Sequence, residues 1–178
     1  MSRILLCRLN GAGKSTLGKA LAEKVGYVWL DVETYYFPQS CANNPYANPR
    51  TQEEVCDLPL ADLRKYPNVI LSAVRANYSA DIVSLLELAV YISVPKEIRM
   101  ERIRNRAFQK FGARILSGGD LYEQEQAFFH MAEKREDIDI TNWLETLQIP
   151  TFTLDGTLSI DELLIHLDSI IEAKNAGA

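Results

Sequence analysis

The chain has 178 residues, 47% hydrophobic and 24% charged, with a formal net charge of −5. This length predicts a single domain over 1–178 with room for a substantial core, and the acidic balance argues against tight non-specific binding to nucleic acid. No apolar stretch approaches membrane-spanning length and the first apolar run begins at once, so the expectation is a cytoplasmic chain with neither signal peptide nor anchor.

Ile4-Leu5-Leu6-Cys7 is a short apolar run closed by a glycine-rich turn, the pattern of a buried strand. Next comes Asn10-Gly11-Ala12-Gly13-Lys14-Ser15-Thr16, and after it Leu17, Ala20, Leu21 and Val25 recur at helical spacing. Gly26 reads as the helix stop. A second strand over 27–30 leads into Asp31-Val32-Glu33, followed by a polar, proline-bearing loop over 38–50. Thr51 with Glu54 predicts a capping box for a helix reaching about Lys65. Strands are predicted at 69–72, 88–94 and 152–154, and a short helix at 79–86. A basic helix is predicted over 96–107 and a glycine-bearing loop over 108–120, then helices over 121–134 and around Ile140, Trp143, Leu144 and Leu147. The last helix shows an apolar face at Ile160, Leu163, Leu164, Leu167, Ile170 and Ile171. Cys7, Cys41 and Cys56 have no metal-ligand spacing and are expected as free thiols.

Strands alternating with helices imply right-handed crossovers on a parallel sheet, an α/β architecture with five strands flanked by helices. Ligands of such sheets sit at the carboxyl ends of the strands, which gathers 8–16, Asp31, Glu33, 72–75 and Asp155 around one crevice.

Glycines between a strand and a helix let backbone N–H groups wrap an anion, and the helix N-terminus adds positive charge there. Lys14 is then placed for the β- and γ-phosphates of ATP, and the Ser15 hydroxyl for Mg²⁺. The carboxylates of Asp31 and Glu33 close to Mg·ATP have two uses: one holds the metal, the other orients or deprotonates an acceptor hydroxyl. The plain alternative is a solvated acidic turn. Arg102 and Arg106 share a helix face, and with Arg114 they are expected to fold over the transferring phosphates as part of a lid at about 106–120. For Arg99 and Arg104 the expectation is an exposed helix face. A flap at about 38–65 is expected over the acceptor, with Tyr36, Arg50 and Arg75, together with Tyr35, Asn44 and Tyr46, lining its pocket.

The loop from Asn10 to Thr16 resembles the Walker A motif of P-loop nucleotide-binding proteins, with Arg8 where the full pattern has its first glycine. The motif, the acid ending the second strand, the helix leading into an arginine-bearing loop and the turn Leu154-Asp155-Gly156-Thr157 together resemble the adenylate-kinase and shikimate-kinase group of small P-loop kinases. That resemblance implies a three-layer P-loop NTPase fold with a helical lid, phosphate-clamping roles for Arg102, Arg106 and Arg114, and adenine contacts from Asp155 and Gly156. Asp31-Val32-Glu33 is similar to the Asp-x-Asp of shikimate-type kinases. Ser72-Ala73-Val74-Arg75-Ala76 stands where adenylate kinases carry Asp-Gly-x-Pro-Arg, so specificity for nucleoside monophosphates is not implied.

The function expected is transfer of the γ-phosphoryl group of Mg·ATP to a small-molecule hydroxyl, by a monomer or homodimer with no nucleic-acid or membrane partner. The rivals are a nucleotide-binding regulatory ATPase without an acceptor and a nucleic-acid kinase, the latter supported only by the basic segment. Leu116-Ser117-Gly118-Gly119-Asp120 mimics the signature of ABC transporter ATPases, but no apolar run ends in adjacent Asp-Glu.

Overall fold

The computed structural model describes residues 1–37 and 49–176. The 38–48 part of the expected flap, with Cys41, Asn44 and Tyr46, lies outside the described residues. Five strands, β1 (Ser2–Cys7), β2 (Val28–Asp31), β3 (Asn68–Ala73), β4 (Leu88–Ser93) and β5 (Thr151–Asp155), form one parallel sheet in the order β2-β3-β1-β4-β5. The helices are α1 (Lys14–Val25), α2 (Val32–Tyr36), α3 (Gln52–Lys65), α4 (Ala80–Leu85), α5 (Lys96–Phe111), α6 (Tyr122–Lys134), α7 (Ile138–Glu145) and α8 (Ile160–Ala176).

Alternation along β1 sends its side chains to both faces, and both faces are covered. Leu5 and Cys7 enter a core built with Val55 and Leu63 of α3, Ile82 of α4, and Ile140 and Leu144 of α7. Ile4 and Leu6 enter the opposite core with Leu17 and Leu21 of α1 and Leu163, Leu167 and Ile171 of α8. The result is the expected three-layer α/β sandwich. Its boundaries follow local chemistry. Gly26 closes α1 in the left-handed region at φ 69°. The Thr51 hydroxyl accepts from the Glu54 amide while the Glu54 carboxylate accepts from the Thr51 amide.

One expectation is corrected. The stretch over 108–120 is not a free loop: α5 continues to Phe111, and Gly112–Ile115 forms a 3-10 turn. A third small core explains this, because Ile103 and Ala107 of α5, Ile115 of the turn, and Phe129 and Ala132 of α6 pack together. Gly112 (φ 57°) at the start of this turn and Gly118 (φ 86°) just beyond it both take positive φ.

Candidate functional site

The phosphate loop runs from the end of β1 into α1. Gly11 (φ 85°) and Gly13 (φ 89°) both take the left-handed conformation that side-chain-bearing residues avoid. Gly11 is also packed from behind: a Cβ there would meet the Arg99 carbonyl oxygen at 2.4 Å and Ile103 at 3.0 Å. Gly13 faces open space. No acidic side chain stands in the first turn of α1, which leaves its positive end available to an anion.

Lys14 donates from Nζ to the Leu9 carbonyl at 3.3 Å. Burial lowers its pKa to about 8, against the opposing pull of Asp31 and Glu33. Ser15 Oγ donates to Asp31 Oδ2 at 2.5 Å. Asp31 closes β2 and caps α2, its Oδ1 accepting from the Glu33 amide at 3.0 Å. Strand pairing sets this geometry, since Asp31 lies in register with Ser72 of β3, beside the loop-bearing β1. The buried Ser72 hydroxyl donates to the Lys14 carbonyl at 3.2 Å and accepts from the Trp29 indole at 3.1 Å. These contacts tie the foot of the phosphate loop to the neighbouring strands.

A cavity of about 1120 Å³ opens between the loop and the α6–α7 side of the molecule. Asn10, Lys14, Ser15, Asp31, Glu33, Tyr36 and Arg75 line one side, and Glu125, Phe128, Met131 and the stretch from Lys134 to Glu136 line the other. The structure thus brings the loop, the acidic pair and two expected acceptor residues into one space.

Other expected residues stand elsewhere. Ala12 is buried, Thr16 is exposed, and neither lines the cavity. Arg50 donates to the Tyr35 carbonyl at 3.0 Å, closing the end of α2. Arg102 donates to the Gly156 carbonyl at 3.1 Å, so it supports the turn after β5. In that turn Asp155 Oδ1 accepts from the Thr157 amide at 3.0 Å and its hydroxyl at 2.7 Å, and those bonds hold its pKa down. Gly156 is pressed on β4, where a Cβ would lie 2.5 Å from both Ile92 and Val94. Arg114 grips Asp120 with two nitrogens, at 2.7–3.3 Å, away from the cavity lining. Arg106 lies outside the lining too, but its charge bears on both Lys14 and Glu125.

The expectation of an exposed Arg99 is overturned. It is 1% exposed, and its Nη1 donates to the Asn10 carbonyl at 3.2 Å, bracing the loop. Arg135, which sequence reasoning did not single out, donates to the Asn10 side chain at 3.3 Å. Glu125 was also missed; it is 4% exposed, and burial raises its pKa. Its signal was spacing, for Glu125 stands three and four residues before Phe128 and Phe129 on a helix that packs by its aromatic face.

The donors fit a small hard cation beside a phosphate chain. Mg²⁺ takes oxygen ligands, usually one or two carboxylates completed by phosphate oxygens and water. Ser15 and Asp31 offer one hydroxyl and one carboxylate at the positive end of α1. Among the described residues no cluster of three or more metal-ligating side chains occurs, and no helix is long and apolar enough to cross a membrane.

No family model matches the chain. An uncharacterized protein of Bacillus subtilis (strain 168), YqaC, is 29% identical over 161 residues, covering 86% of this chain and 88% of that protein. Among solved structures, shikimate kinase from Bacteroides thetaiotaomicron superposes with a TM-score of 0.60 at 19% identity, covering 96% of this chain and 98% of that one. Deoxyadenosine kinase from M. mycoides with bound dATP gives 0.61 at 15% identity, covering 97% and 100%. A gluconokinase from Sinorhizobium meliloti 1021 gives 0.55 at 15% identity, covering 97% of each chain. The fold is that of the small P-loop kinases.

Proposed function

We propose that this chain is an ATP-dependent phosphotransferase that moves the γ-phosphoryl group of Mg·ATP to a hydroxyl of a small-molecule acceptor. One observation carries the reading: Lys14, Ser15, Asp31 and Glu33 face the same large cavity as Arg75 and Tyr36. A regulator that only holds a nucleotide has no need of a cavity that continues past the loop to its acidic pair and Arg75.

In this reading the amides of 10–16 and Lys14 hold the β- and γ-phosphates, while Ser15 and Asp31 hold Mg²⁺. Mg²⁺ held there would supply positive charge against the charge that develops on the transferring phosphoryl group. Asp31 bears on the metal through its water shell and takes the acceptor's proton, while Glu33, in the first turn of α2, orients the acceptor hydroxyl. Of the three expected clamp arginines, Arg106 is the one not engaged with the Gly156 carbonyl or with Asp120, and it is assigned to the developing charge. Arg75 lines the cavity, makes no hydrogen bond or ion pair among the described residues, and is available to a polar group of the acceptor. Asp155 and Gly156 flank the adenine from the turn after β5. The neighbours named for shikimate, gluconate and deoxyadenosine kinases support phosphotransfer to small molecules and leave the acceptor open.

The test is a screen of metabolite pools for acceptor-dependent ADP formation, with Asp31→Asn as control. Stimulation by a fraction, lost in the variant, is the expected outcome. Nucleotide binding with no stimulation by any fraction would turn the reading to the regulatory ATPase. Stimulation by oligonucleotides that fades with salt would indicate a nucleic-acid kinase.

A further inference from the structure

Arg8 occupies the position at which the phosphate-loop pattern has its first glycine, and its side chain is 5% exposed. The guanidinium lies over the Tyr91 ring, 4.8 Å from its centroid. Its Nη2 donates to the Val94 carbonyl at 2.7 Å and to Asp137 Oδ2 at 2.6 Å. Asp137 is the residue that starts α7, and the residues around it, Lys134 to Glu136 and Ile138 to Ile140, line the cavity. A single ion pair therefore joins the root of the phosphate loop to the opposite wall.

That ion pair is half made. Arginine and carboxylate pair best as a fork, with two parallel N–H···O bonds. Here one bond is present, while Arg8 Nε and Asp137 Oδ1 are both buried with no hydrogen-bond partner among the described residues. Buried polar groups are rarely left so, and two complementary orphans on the two members of one pair are best satisfied by each other. Closing the fork would bring Asp137 Oδ1 to Arg8 Nε. A pair able to take both a one-bonded and a two-bonded arrangement is the kind of element through which two sites can be coupled. Arg135 reaching Asn10 adds a second tie between the same wall and the loop.

We propose that Arg8 and Asp137 form a clamp that closes into a two-bonded fork when the phosphate loop is filled, drawing the α7 wall of the acceptor cavity onto the nucleotide. Arg8 is then a positioning residue, acting through Asp137 on the wall. The idea rests on the reading of the loop as a nucleotide site. Phosphates order the loop, and whatever is tied to an ordered loop loses less freedom on closing.

The experiment is hydrogen exchange of the α7 amides in the full chain, with and without saturating Mg·AMPPNP, whose binding is followed by calorimetry. Arg8→Lys keeps the charge without the fork, and Asp137→Asn keeps the shape without the charge. In the wild type, nucleotide should slow α7 exchange by about 5–150-fold, the usual span of site-to-site coupling. In either variant the slowing should shrink to about twofold or less while nucleotide still binds, and combining the two should add nothing further. A merely structural role would shift α7 exchange equally with and without nucleotide. Full protection in the variants, or nucleotide bound by the wild type without α7 protection, overturns the clamp alone. No binding by the wild type overturns the nucleotide reading and the clamp with it. Thermal melts establish that each variant is folded, and either variant suffices if the other is not.

Discussion

Ser15 and Asp31 share a hydrogen bond of 2.5 Å although 16 residues of chain separate them. The hydroxyl belongs to the first turn of α1 and the carboxylate to the last residue of β2, so the contact exists only because β1, β3 and β2 are sheet neighbours. A hydroxyl and a carboxylate aimed at one point are what a magnesium ion held largely by phosphates requires of the protein. Asp31 also caps α2, so the same side chain sets the direction of Glu33.

Asp31→Asn keeps the size and removes the charge. Nucleotide affinity should change little, since the loop amides and Lys14 carry most of it, while turnover should fall by about 10²–10⁴, the usual contribution of a positioned acid or base. Glu33→Gln should instead raise the acceptor KM with a smaller loss of kcat. Calorimetry and acceptor-dependent ADP release separate the two effects. Unchanged turnover in both variants would reduce the acidic turn to a solvated strand end.

Lys14 gives a pH dependence of definite sign. Its pKa is about 8 in the folded chain, against roughly 10.4 unfolded, so the unfolded state holds the extra proton. The folded chain is therefore penalised below about pH 8, and the penalty fades as pH rises towards the unfolded value. Lys14→Met should raise Tm at neutral pH, by roughly 2–4 °C for each kcal/mol recovered, with the gain vanishing near pH 10.4. Phosphates favour the ammonium, so nucleotide binding should take up protons around pH 8 and weaken at higher pH. Calorimetry in buffers of different ionisation heat reads that uptake. A Tm gain that persists unchanged to high pH would refute the assignment.

Gly11 and Gly13 have nearly equal φ values and different surroundings. Gly13→Ala should cost about 1–2 kcal/mol, the strain of a left-handed alanine. Gly11→Ala adds a collision with the Arg99 carbonyl, so its cost should be larger and its nucleotide binding weaker. Thermal unfolding of the pair decides it; equal losses would mean that the loop yields freely against α5.

Among the expected clamp arginines, position ranks the outcomes. Arg106→Ala should lower turnover by about 10³–10⁵, the value of an arginine meeting a transferring phosphoryl group. Arg102→Ala should act mainly on nucleotide affinity through the Gly156 turn. Arg114→Ala breaks an exposed pair with Asp120 and should leave both turnover and Tm close to those of the wild type. Equal losses of turnover at all three positions would restore the wider lid.

The sheet, the helices other than α2 and the strand–glycine turn–helix over 4–25 were legible because their signals are local. The apolar run of β1, the Thr51–Glu54 box and Gly26 each lie within a few residues of what they determine. Arg99 was misread because a charged residue on a basic helix is usually solvated, and only the approach of Gly11 to α5 shows that this one is buried. The loop expected over 108–120 was misread for a related reason. Its glycines read as a loop, while the packing of Ile115 against Phe129 is a contact between elements that no single window contains. Arg8 was visible as a departure from the motif, but its partner, Asp137, is 129 positions away in sequence, and only the fold brings them together.

The hydrogen-bonded relay from the Trp29 indole through Ser72 to the Lys14 carbonyl also makes the molecule its own optical probe. The chain has two tryptophans, Trp29 behind the phosphate loop and Trp143 on α7. Any shift of the Lys14 backbone alters the hydroxyl that solvates the Trp29 ring, and with it the colour and yield of that ring's emission. With Trp143 replaced by phenylalanine, the remaining emission follows filling of the loop in real time; with Trp29 replaced instead, it follows the opposite wall. The order of the two signals in a stopped-flow trace then tells which side of the cavity moves first.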